Sequence, residues 1–495
     1  MERPFTFAAA VAAFALQAGA QNVEAPPQLR AARDAVAAEV ERGYTPSIAV
    51  AVLQHGAVVW AEGFGLAERA HERAATADTI YRLASISKTF TATALMQLVD
   101  RGRIELDAPV DRYLDVPLIA RAGSAEQITV RRLLNHTGGL PTHWNFFFGD
   151  EHAPPRADSI RAYGFAAFEP GTRTNYCNFA FGVLDHVIAR LGGKSYRDWL
   201  VTELLDPLGM ADTDVGVRPG RELRAALGYR KAKGEWTAID DYGFDHDGAS
   251  AVRSSANDLM RFARLQLGRG EVDGRRLLSE ASTLAMRKPT ARAVGSTFGI
   301  GWSVGRERGQ AVLRHSGGMP GVSTQLLVFP ARDAAFAVLT NGDDRGATNR
   351  AVNAVLDAMF GAPSGEATNA KPPAAGDADR PAETVAAAGR YRGDILHPDG
   401  SVPVALEVTA AAARIAFDGG EPQECRMRAS ASALTLQCTH RLPVGHRGNP
   451  DTSLTFELAP APHGLCGVLY ATVDGVCRLP FWVELAREAD ANGKR

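Results

Sequence analysis

The segment Tyr81-Arg-Leu-Ala-Ser85-Ile-Ser-Lys88-Thr-Phe90 opens a long apolar stretch that ends at Gly102. Apolar residues recur at every fourth position, which predicts a helix with one face in the core and Gly102 just beyond its end. Ser85 and Lys88 are three residues apart and lie on the same side of this helix. A Ser hydroxyl becomes a nucleophile when a neighbouring base takes its proton, and a desolvated Lys can be that base. The segment therefore predicts an acyl-enzyme mechanism, with a surface Ser and Lys as the alternative.

A second motif follows about 90 residues later, where residues 169–178 read Glu-Pro-Gly-Thr-Arg-Thr-Asn-Tyr-Cys-Asn. The Tyr176 phenol can shuttle a proton between Ser85, Lys88 and a leaving group. The Asn178 amide can orient Lys88 and a substrate carbonyl. A loop Tyr and a helix-capping Asn are the alternative. Cys177 is interpreted as a small buried residue and not as a second nucleophile.

A third motif, Arg314-His315-Ser316-Gly317-Gly318-Met-Pro-Gly321, lies between two strand patterns. Glycine at 317 and 318 lets a substrate backbone approach closely. The N–H of Gly318, together with that of Ser85, can hold an oxyanion. The alternative is a glycine-rich hairpin with an exposed His.

The order Ser-x-x-Lys, Tyr-x-Asn, His-x-Gly resembles the serine β-lactamase and penicillin-binding protein superfamily. The match is to its class C-like branch, which also holds D-aminopeptidases, DD-peptidases and esterases. Three connecting stretches agree with that family and lie at 133–141, 207–210 and 329–341. The resemblance covers roughly residues 28–360. It implies an α+β fold, in which helices flank an antiparallel sheet and an all-α subdomain borders the site.

The resemblance also implies roles for the motif residues. Ser85 would be the acylated nucleophile, and Lys88 and Tyr176 would share the general acid and base work. The other positions implied are substrate-binding Asn178, His315, Ser316 and Gly317, and an oxyanion hole formed by the backbone of Ser85 and Gly318. His315 stands where β-lactamases of this branch carry Lys, and a neutral imidazole attracts a carboxylate less strongly. We therefore expect β-lactam hydrolysis to be slow or absent.

These motifs predict a serine hydrolase that cleaves an amide or ester bond through an acyl-Ser85 intermediate. The expected substrates are D-amino-acid peptides, peptidoglycan fragments or small esters. A true class C-like β-lactamase and a non-catalytic penicillin- or peptide-binding module are the alternatives. No cofactor or metal is expected, and the partner is a small-molecule or peptide substrate.

The amino terminus predicts export. Arg3 precedes an apolar run from Phe5 to Leu16, and Ala18-Gly19-Ala20 is a small-x-small cleavage signature, so residues 1–20 are interpreted as a signal peptide. Twelve apolar residues are too few to span a bilayer. The expected location is periplasmic or secreted. The net charge of −2, from 54 basic and 56 acidic residues, excludes the charge pattern of a dedicated nucleic-acid binder.

Composition divides the remaining chain. Residues 362–383 are rich in Pro and small residues and predict a linker. Residues 21–361 then form the hydrolase domain, and residues 384–495 form a small antiparallel β-barrel or sandwich, because Val402, Val404, Leu406 and Val408 alternate strictly. The four Cys of the tail allow three disulfide pairings, of which Cys425–Cys438 with Cys466–Cys477 is favoured because each closes a hairpin-sized loop, and four small buried residues are the alternative. The tail domain is hypothesised to limit substrate size.

Three further parts of the sequence contain aromatic, acidic or His residues that could contribute to a site. The stretch His143–Phe148 either lines the mouth of the pocket or packs a loop. The stretch Asp245-His-Asp247 has metal-ligating side chains, but we interpret it as a solvated loop. His136 is interpreted as structural, because Gly138 and Gly139 mark a tight turn after it.

Overall fold

A computed structural model of the protein describes residues 22–363, 388–398, 400–430, 433–442, 451–473 and 476–488. The predicted signal peptide and residues 364–383 of the predicted linker lie outside these ranges. The α-helices are α1 (Arg30–Glu41), α2 (Ser87–Asp100), α3 (Val130–Leu134), α4 (Arg156–Tyr163), α5 (Phe179–Gly192), α6 (Tyr196–Leu200), α7 (Asp247–Ser250), α8 (Ala256–Leu267), α9 (Glu280–Arg287) and α10 (Arg345–Phe360).

Strands follow the same chain order. Those of the first part are β1 (Ser47–Gln54), β2 (Ala57–Glu68), β3 (Arg73–Ala74), β4 (Tyr81–Arg82), β5 (Ile119–Ala120), β6 (Trp144–Phe148), β7 (Phe165–Ala166), β8 (Asp214–Val215), β9 (Tyr229–Ala232), β10 (Glu235–Ala238), β11 (Tyr242–Phe244), β12 (Val252–Ser254), β13 (Glu271–Val272), β14 (Arg275–Arg276), β15 (Ala291–Ala293), β16 (Ser296–Phe298), β17 (Ser303–Glu307), β18 (Gln310–Met319), β19 (Val322–Phe329) and β20 (Ala334–Thr340). Those of the tail are β21 (Gly389–His397), β22 (Gly400–Val408), β23 (Ala413–Phe417), β24 (Gln423–Ala429), β25 (Leu434–Arg441), β26 (Asp451–Ala461), β27 (Gly464–Val473) and β28 (Cys477–Arg487).

The main sheet is antiparallel and has the order β15-β16-β17-β18-β19-β20-β1-β2-β3. Strands from both ends of the hydrolase part therefore meet in one sheet around a helical middle, which agrees with the α+β fold that the resemblance implies. In β1 the side chains of Ile48, Val50 and Val52 pack toward α1 and α10, whereas Ala49, Ala51 and Leu53 pack toward the helical middle. Both faces of the sheet are covered, so β1 is buried along nearly its whole length.

Helix α2 lies at the centre of the helical part. Every residue from Ser87 to Leu98 is buried, so the prediction of a single core face was too narrow. Helices α5, α6, α7 and α9 pack around α2. Its Thr side chains satisfy their hydroxyl groups locally: the Thr93 hydroxyl donates to the Thr89 carbonyl at 2.8 Å. Gly102 follows the helix with a φ of 65°, as its predicted position requires.

The tail is a closed eight-stranded antiparallel barrel, which decides between the predicted barrel and sandwich. Strands β21 to β28 pair in sequence, and β28 returns to pair with β21. Closure leaves the barrel without a free sheet edge of its own. The alternating residues Val404, Leu406 and Val408 point into the buried interior. Within the described residues, no helix is both long and apolar enough to cross a membrane.

All five cysteines are free thiols. The pairing Cys466–Cys477 is wrong, because Cys466 lies opposite Glu484 and Cys477 opposite Val473, at the other end of the β27–β28 ladder. Cys425 and Cys438 lie on the neighbouring strands β24 and β25, and their side chains are hydrogen-bonded. These two thiols are therefore close enough to meet, whereas the other two are held apart.

The barrel is joined to the hydrolase part by a shared sheet. Strand β6 pairs with the start of β28, with Asn145 opposite Cys477 and Trp144 opposite Arg478. Strand β11 then adds to the other edge of β6. A separate apolar cluster joins Phe165 to Trp482 of the barrel. Strand β6 therefore lies between the barrel strand β28 on one edge and β11 on the other.

Candidate active site

Ser85 lies in a single 3₁₀ turn, Ala84–Ile86, that joins β4 to α2. This turn is held on both sides, because the Leu83 N–H donates to the Val252 carbonyl at 2.9 Å and the Thr324 hydroxyl donates to the Leu83 carbonyl at 3.0 Å. Ala84 has a φ of 49°, an unfavourable backbone conformation for a residue with a Cβ. The turn presents the half-buried Ser85 at the amino terminus of α2, where free N–H groups favour negative charge.

Lys88 is fully buried behind Ser85. Its Nζ lies 3.0 Å from Ser85 Oγ, 2.8 Å from Asn178 Oδ1 and 3.2 Å from the Ala249 carbonyl oxygen. Burial lowers the pKa of the Lys88 amine well below its usual value of 10.5. Of the three neighbours of this amine, the Asn178 and Ala249 carbonyl oxygens can only accept hydrogen bonds, whereas the Ser85 hydroxyl can also donate one.

Tyr176 and Asn178 approach Ser85 and Lys88 from the other side of the cavity. The Tyr176 hydroxyl is hydrogen-bonded to Ser85, and burial raises the pKa of the phenol. The Tyr176 ring packs against the buried His136 ring at a centroid distance of 4.3 Å. His136 Nδ1 also accepts the Cys177 N–H at 3.3 Å, so His136 positions the Tyr176 loop. Cys177 is 1% exposed, as predicted.

The third motif forms the end of β18. Strand β17 pairs with residues 310–314, and residues 315–319 continue past the turn that carries Ser85. A Cβ on Gly317 would lie 2.1 Å from the Leu83 carbonyl oxygen and 2.3 Å from Thr324 Oγ1, so this close approach requires glycine. Gly318 follows on the same strand, where its backbone faces the cavity.

His315 is 6% exposed and is more buried than an exposed hairpin His would be. Burial and the nearby Lys88 lower the pKa of the imidazole to about 3, so the ring is neutral at physiological pH. Its Nδ1 lies 2.9 Å from the Ser316 carbonyl oxygen. The ring lines the cavity, where the resemblance implied a substrate-binding residue.

All of the predicted site residues meet at one cavity of about 720 Å³, with Lys88 directly behind its wall. Sequence reasoning missed Arg345 and Asn349, which line this cavity from the first turns of α10. Helix α10 begins at Arg345, because the Asp344 side chain caps it by accepting the Gly346 and Ala347 N–H groups. That Asp before the helical pattern was the available signal.

The stretch His143–Phe148 both lines the cavity and packs against neighbouring residues, so each of the two alternatives describes part of it. Trp144 lines the cavity, while Phe146 packs in an aromatic cluster with Tyr242 and Phe244. The Arg478 guanidinium of the barrel lies 5.7 Å from the Trp144 ring centroid. The barrel therefore contacts a side chain of the cavity wall.

The solvated-loop interpretation of Asp245-His-Asp247 was wrong, because Asp245 and His246 are completely buried. Asp245 Oδ1 lies 3.0 Å from His143 Nε2 and 2.6 Å from His246 Nδ1. These bonds hold the Asp245 pKa below its usual range, while burial lowers the His246 pKa to about 4. The His143 carbonyl then accepts the Asn178 Nδ2 proton at 3.0 Å, which turns Asn178 Oδ1 toward Lys88.

Among the described residues, His143, Asp245 and His246 are the group whose side chains are close enough to share a metal ion. The far nitrogen of each ring, His143 Nδ1 and His246 Nε2, is buried and has no hydrogen-bond partner within the described ranges. A metal on the near nitrogens would turn these two atoms into buried, unpaired N–H donors, which is costly. The geometry therefore favours three hydrogen-bonded side chains that anchor the loop under Asn178.

Three features surround one cavity: a Ser-Lys pair at a helix start, a Tyr-x-Asn loop and a glycine-rich sheet edge. Together they define a serine hydrolase. The Beta-lactamase family model matches residues 32–358, and the chain belongs to that family. Penicillin-binding protein 4* of Bacillus subtilis (strain 168) is 29% identical over 377 residues, which cover 71% of this chain and 80% of the relative. The superfamily resemblance is thus confirmed.

Two solved structures share the fold. The octameric penicillin-binding protein homologue from Pyrococcus abyssi has a TM-score of 0.58 at 20% identity and covers 92% of this chain and 99% of its own. D-amino acid amidase from Ochrobactrum anthropi SV3 has a TM-score of 0.56 at 26% identity and covers 68% of this chain and 99% of its own. The first likeness extends into the tail, and the second covers an extent similar to the hydrolase part.

Proposed function

We propose that the protein is an exported serine hydrolase that cleaves an amide or ester bond through an acyl-Ser85 intermediate. The observation that supports this proposal most strongly is the set of hydrogen-bonding groups around Lys88 Nζ. Burial lowers the pKa of this amine well below its usual value and so favours the neutral form, which has two N–H groups and one lone pair. The carbonyl oxygens of Asn178 and Ala249 accept the two N–H groups, so the lone pair faces the Ser85 hydroxyl 3.0 Å away.

Acylation follows from this arrangement. Lys88 takes the Ser85 proton while Oγ attacks the substrate carbonyl carbon, and the backbone N–H groups of Ser85 and Gly318 stabilise the oxyanion. Burial keeps the Tyr176 phenol protonated, so Tyr176 is the acid that protonates the leaving amine or alkoxide. The C–N or C–O bond breaks, and the site is left with a Lys88 ammonium and a Tyr176 phenolate.

The same pair supplies deacylation without a further carboxylate. The Tyr176 phenolate takes a proton from water, and the resulting hydroxide attacks the acyl carbon. Ser85 Oγ leaves and regains its proton from the Lys88 ammonium, which restores the starting state. Lys88 Nζ lies 4.8 Å from the Tyr176 ring centroid, so the charges of the acyl-enzyme stay close together.

The cavity supports a peptide substrate with a free carboxylate. His315 is neutral, but the exposed Arg345 guanidinium lies against Gly318, where a Cβ would come within 2.7 Å of Nη2. An arginine fork at the end of the proposed oxyanion hole suits a carboxylate beyond the scissile bond. D-amino-acid peptides and peptidoglycan fragments offer this group, and the likeness to a D-amino acid amidase supports cleavage of an amide bond of a D-amino acid. The predicted signal peptide, residues 1–20, supports export to the compartment that holds such peptides.

A fluorescent penicillin or phosphonate tests the nucleophile. Intact mass should show one adduct on the wild-type protein and none on Ser85→Ala, whereas Cys177→Ala, the matched control at a buried thiol, should be labelled like the wild type. An adduct that persists in Ser85→Ala would contradict the proposal. Rapid nitrocefin turnover would instead identify a β-lactamase, and a stable adduct without turnover of any peptide or ester would identify a binding module.

Replacing Arg345 with alanine should raise KM for a peptide with a free carboxylate by about 10-fold or more, the usual contribution of a charge-assisted hydrogen bond. The same peptide as its carboxamide is the matched control, and its KM should barely change. Equal effects on both substrates would show that Arg345 does not recognise a carboxylate. Steady-state kinetics of the four enzyme and substrate combinations provide the measurement.

A further inference from the structure

A second cavity of about 400 Å³ lies beside the strands that lead into the Ser85 turn. It is bordered by β4, β11, β12 and the loop after β6, and among the described residues it shares no lining residue with the active-site cavity. Two arginines, Arg82 and Arg253, line it from paired positions of β4 and β12. A cavity with two neighbouring guanidinium groups is unusual for a merely structural gap.

Both arginines are nearly buried: the side chain of Arg82 is 9% exposed and that of Arg253 is 11% exposed. Arg82 Nη2 donates to the Tyr242 carbonyl at 2.9 Å, and its guanidinium lies 4.0 Å from the Tyr242 ring centroid. Arg253 Nη2 contacts both carboxylate oxygens of Asp241, at 2.6 and 2.8 Å. Arg253 Nε is buried and has no hydrogen-bond partner within the described residues.

The negative charge around this pair is incomplete. Asp241 contacts both guanidinium groups, but its side chain is 72% exposed to solvent. Two other acidic residues line the cavity: Asp247 pairs with Arg156 at 3.3 Å, and Glu151 lies exposed at the rim, where it accepts the Phe148 N–H. Burial lowers the pKa of Arg82 to about 9 and that of Arg253 to about 10, which is the direction expected for cations removed from water.

We propose that this cavity binds a small oxyanion, a carboxylate or a phosphate group, between Arg82 and Arg253. Two guanidinium forks match the oxygen spacing of such a group. The solvated Asp241 carboxylate occupies part of the same position and competes with the ligand. A bound oxyanion contacts β4 directly, three residues before Ser85, so the site is separate from the substrate cavity but adjoins the element that carries the nucleophile.

The test is titration calorimetry of the full chain with inorganic phosphate and, separately, with acetate, in chloride buffers of constant ionic strength. Saturable binding to the wild type is expected with at least one of the two anions, and the anion that binds identifies the ligand group. Asp241→Asn should tighten binding by about 10-fold or more, because it removes the competing charge, and circular dichroism checks that the variant is folded. Arg253→Gln should abolish binding.

Arg345→Gln is the matched control, since it removes the guanidinium of the active-site cavity and leaves the second cavity intact. Binding that survives Arg345→Gln and is tightened by Asp241→Asn supports the proposal, even if Arg253→Gln fails to fold. Loss of binding in Arg345→Gln would place the anion in the active site and overturn the proposal. No saturable binding of either anion to the wild type and to Asp241→Asn would overturn it as well.

Discussion

Replacing Lys88 with methionine is expected to slow acylation of Ser85 by about 10³-fold, within the range that a positioned general base supplies. Methionine matches the length and apolar stem of Lys88, and the position is completely buried, so the fold should persist. What is lost is the lone pair 3.0 Å from Ser85 Oγ. The burst of p-nitrophenol from an activated ester measures the acylation rate, and circular dichroism checks folding.

The pH dependence gives an independent readout of the same residue. The proposed base works only as the neutral amine, so wild-type acylation should increase with pH and level off well below pH 10.5, since burial lowers the Lys88 pKa. His315 does not produce this limb, because its pKa of about 3 keeps it neutral throughout the range. Lys88→Met should lose the limb. A folded Lys88→Met protein with a near-wild-type acylation rate would contradict the role of Lys88.

Replacing Tyr176 with phenylalanine should slow acylation by an amide about 10²- to 10³-fold and acylation by a p-nitrophenyl ester far less. The reason is the leaving group: an amine must be protonated as it departs, whereas p-nitrophenolate departs unaided. Lys88→Met serves as the matched comparison, because loss of the base slows acylation by both substrates. Acylation rates for a peptide amide and an ester of the same acyl group provide the measurement.

Comparing the acylation rates of Lys88→Met and Tyr176→Phe shows which residue acts as the base and which acts as the acid. If Tyr176→Phe slowed ester and amide acylation equally, Tyr176 would be acting on Ser85 and not on the leaving group. Its raised pKa argues for the acid role, because a phenol that stays protonated is a poor base. Phenylalanine preserves the ring packing on His136, so a general loss of structure is not expected.

The chemistry-bearing motifs were predictable because they are local in sequence. Ser85 and Lys88 share one helix start, and Tyr176 and Asn178 share one loop entering α5, so spacing alone places each pair. Gly317 was predicted as a point where a substrate backbone approaches, whereas the structure gives a different reason for glycine: the Leu83 carbonyl oxygen lies 2.1 Å from where its Cβ would be.

Features that depend on distant partners were not predictable. Asp245 and His246 read as a polar loop because the third member of their cluster, His143, lies about 100 residues earlier. Arg345 was overlooked because apolar periodicity detects the buried face of α10, whereas its capped first turn carries only polar and small residues. Likewise, the large apolar residues of α2 recur with the period of a helix that has one buried face. The helix is buried on every side, because its other faces carry small Ala and Thr residues that are compatible with burial.

The pairing of β6 with β28 completes the cavity wall from two distant parts of the chain. The strand that carries Trp144 and its partner in the barrel are separated by more than 300 residues. Closing so long a loop costs conformational entropy before the contact can repay it. The hydrolase part and the barrel therefore share this edge of the cavity, and we expect a change that unfolds the barrel to displace Trp144 as well.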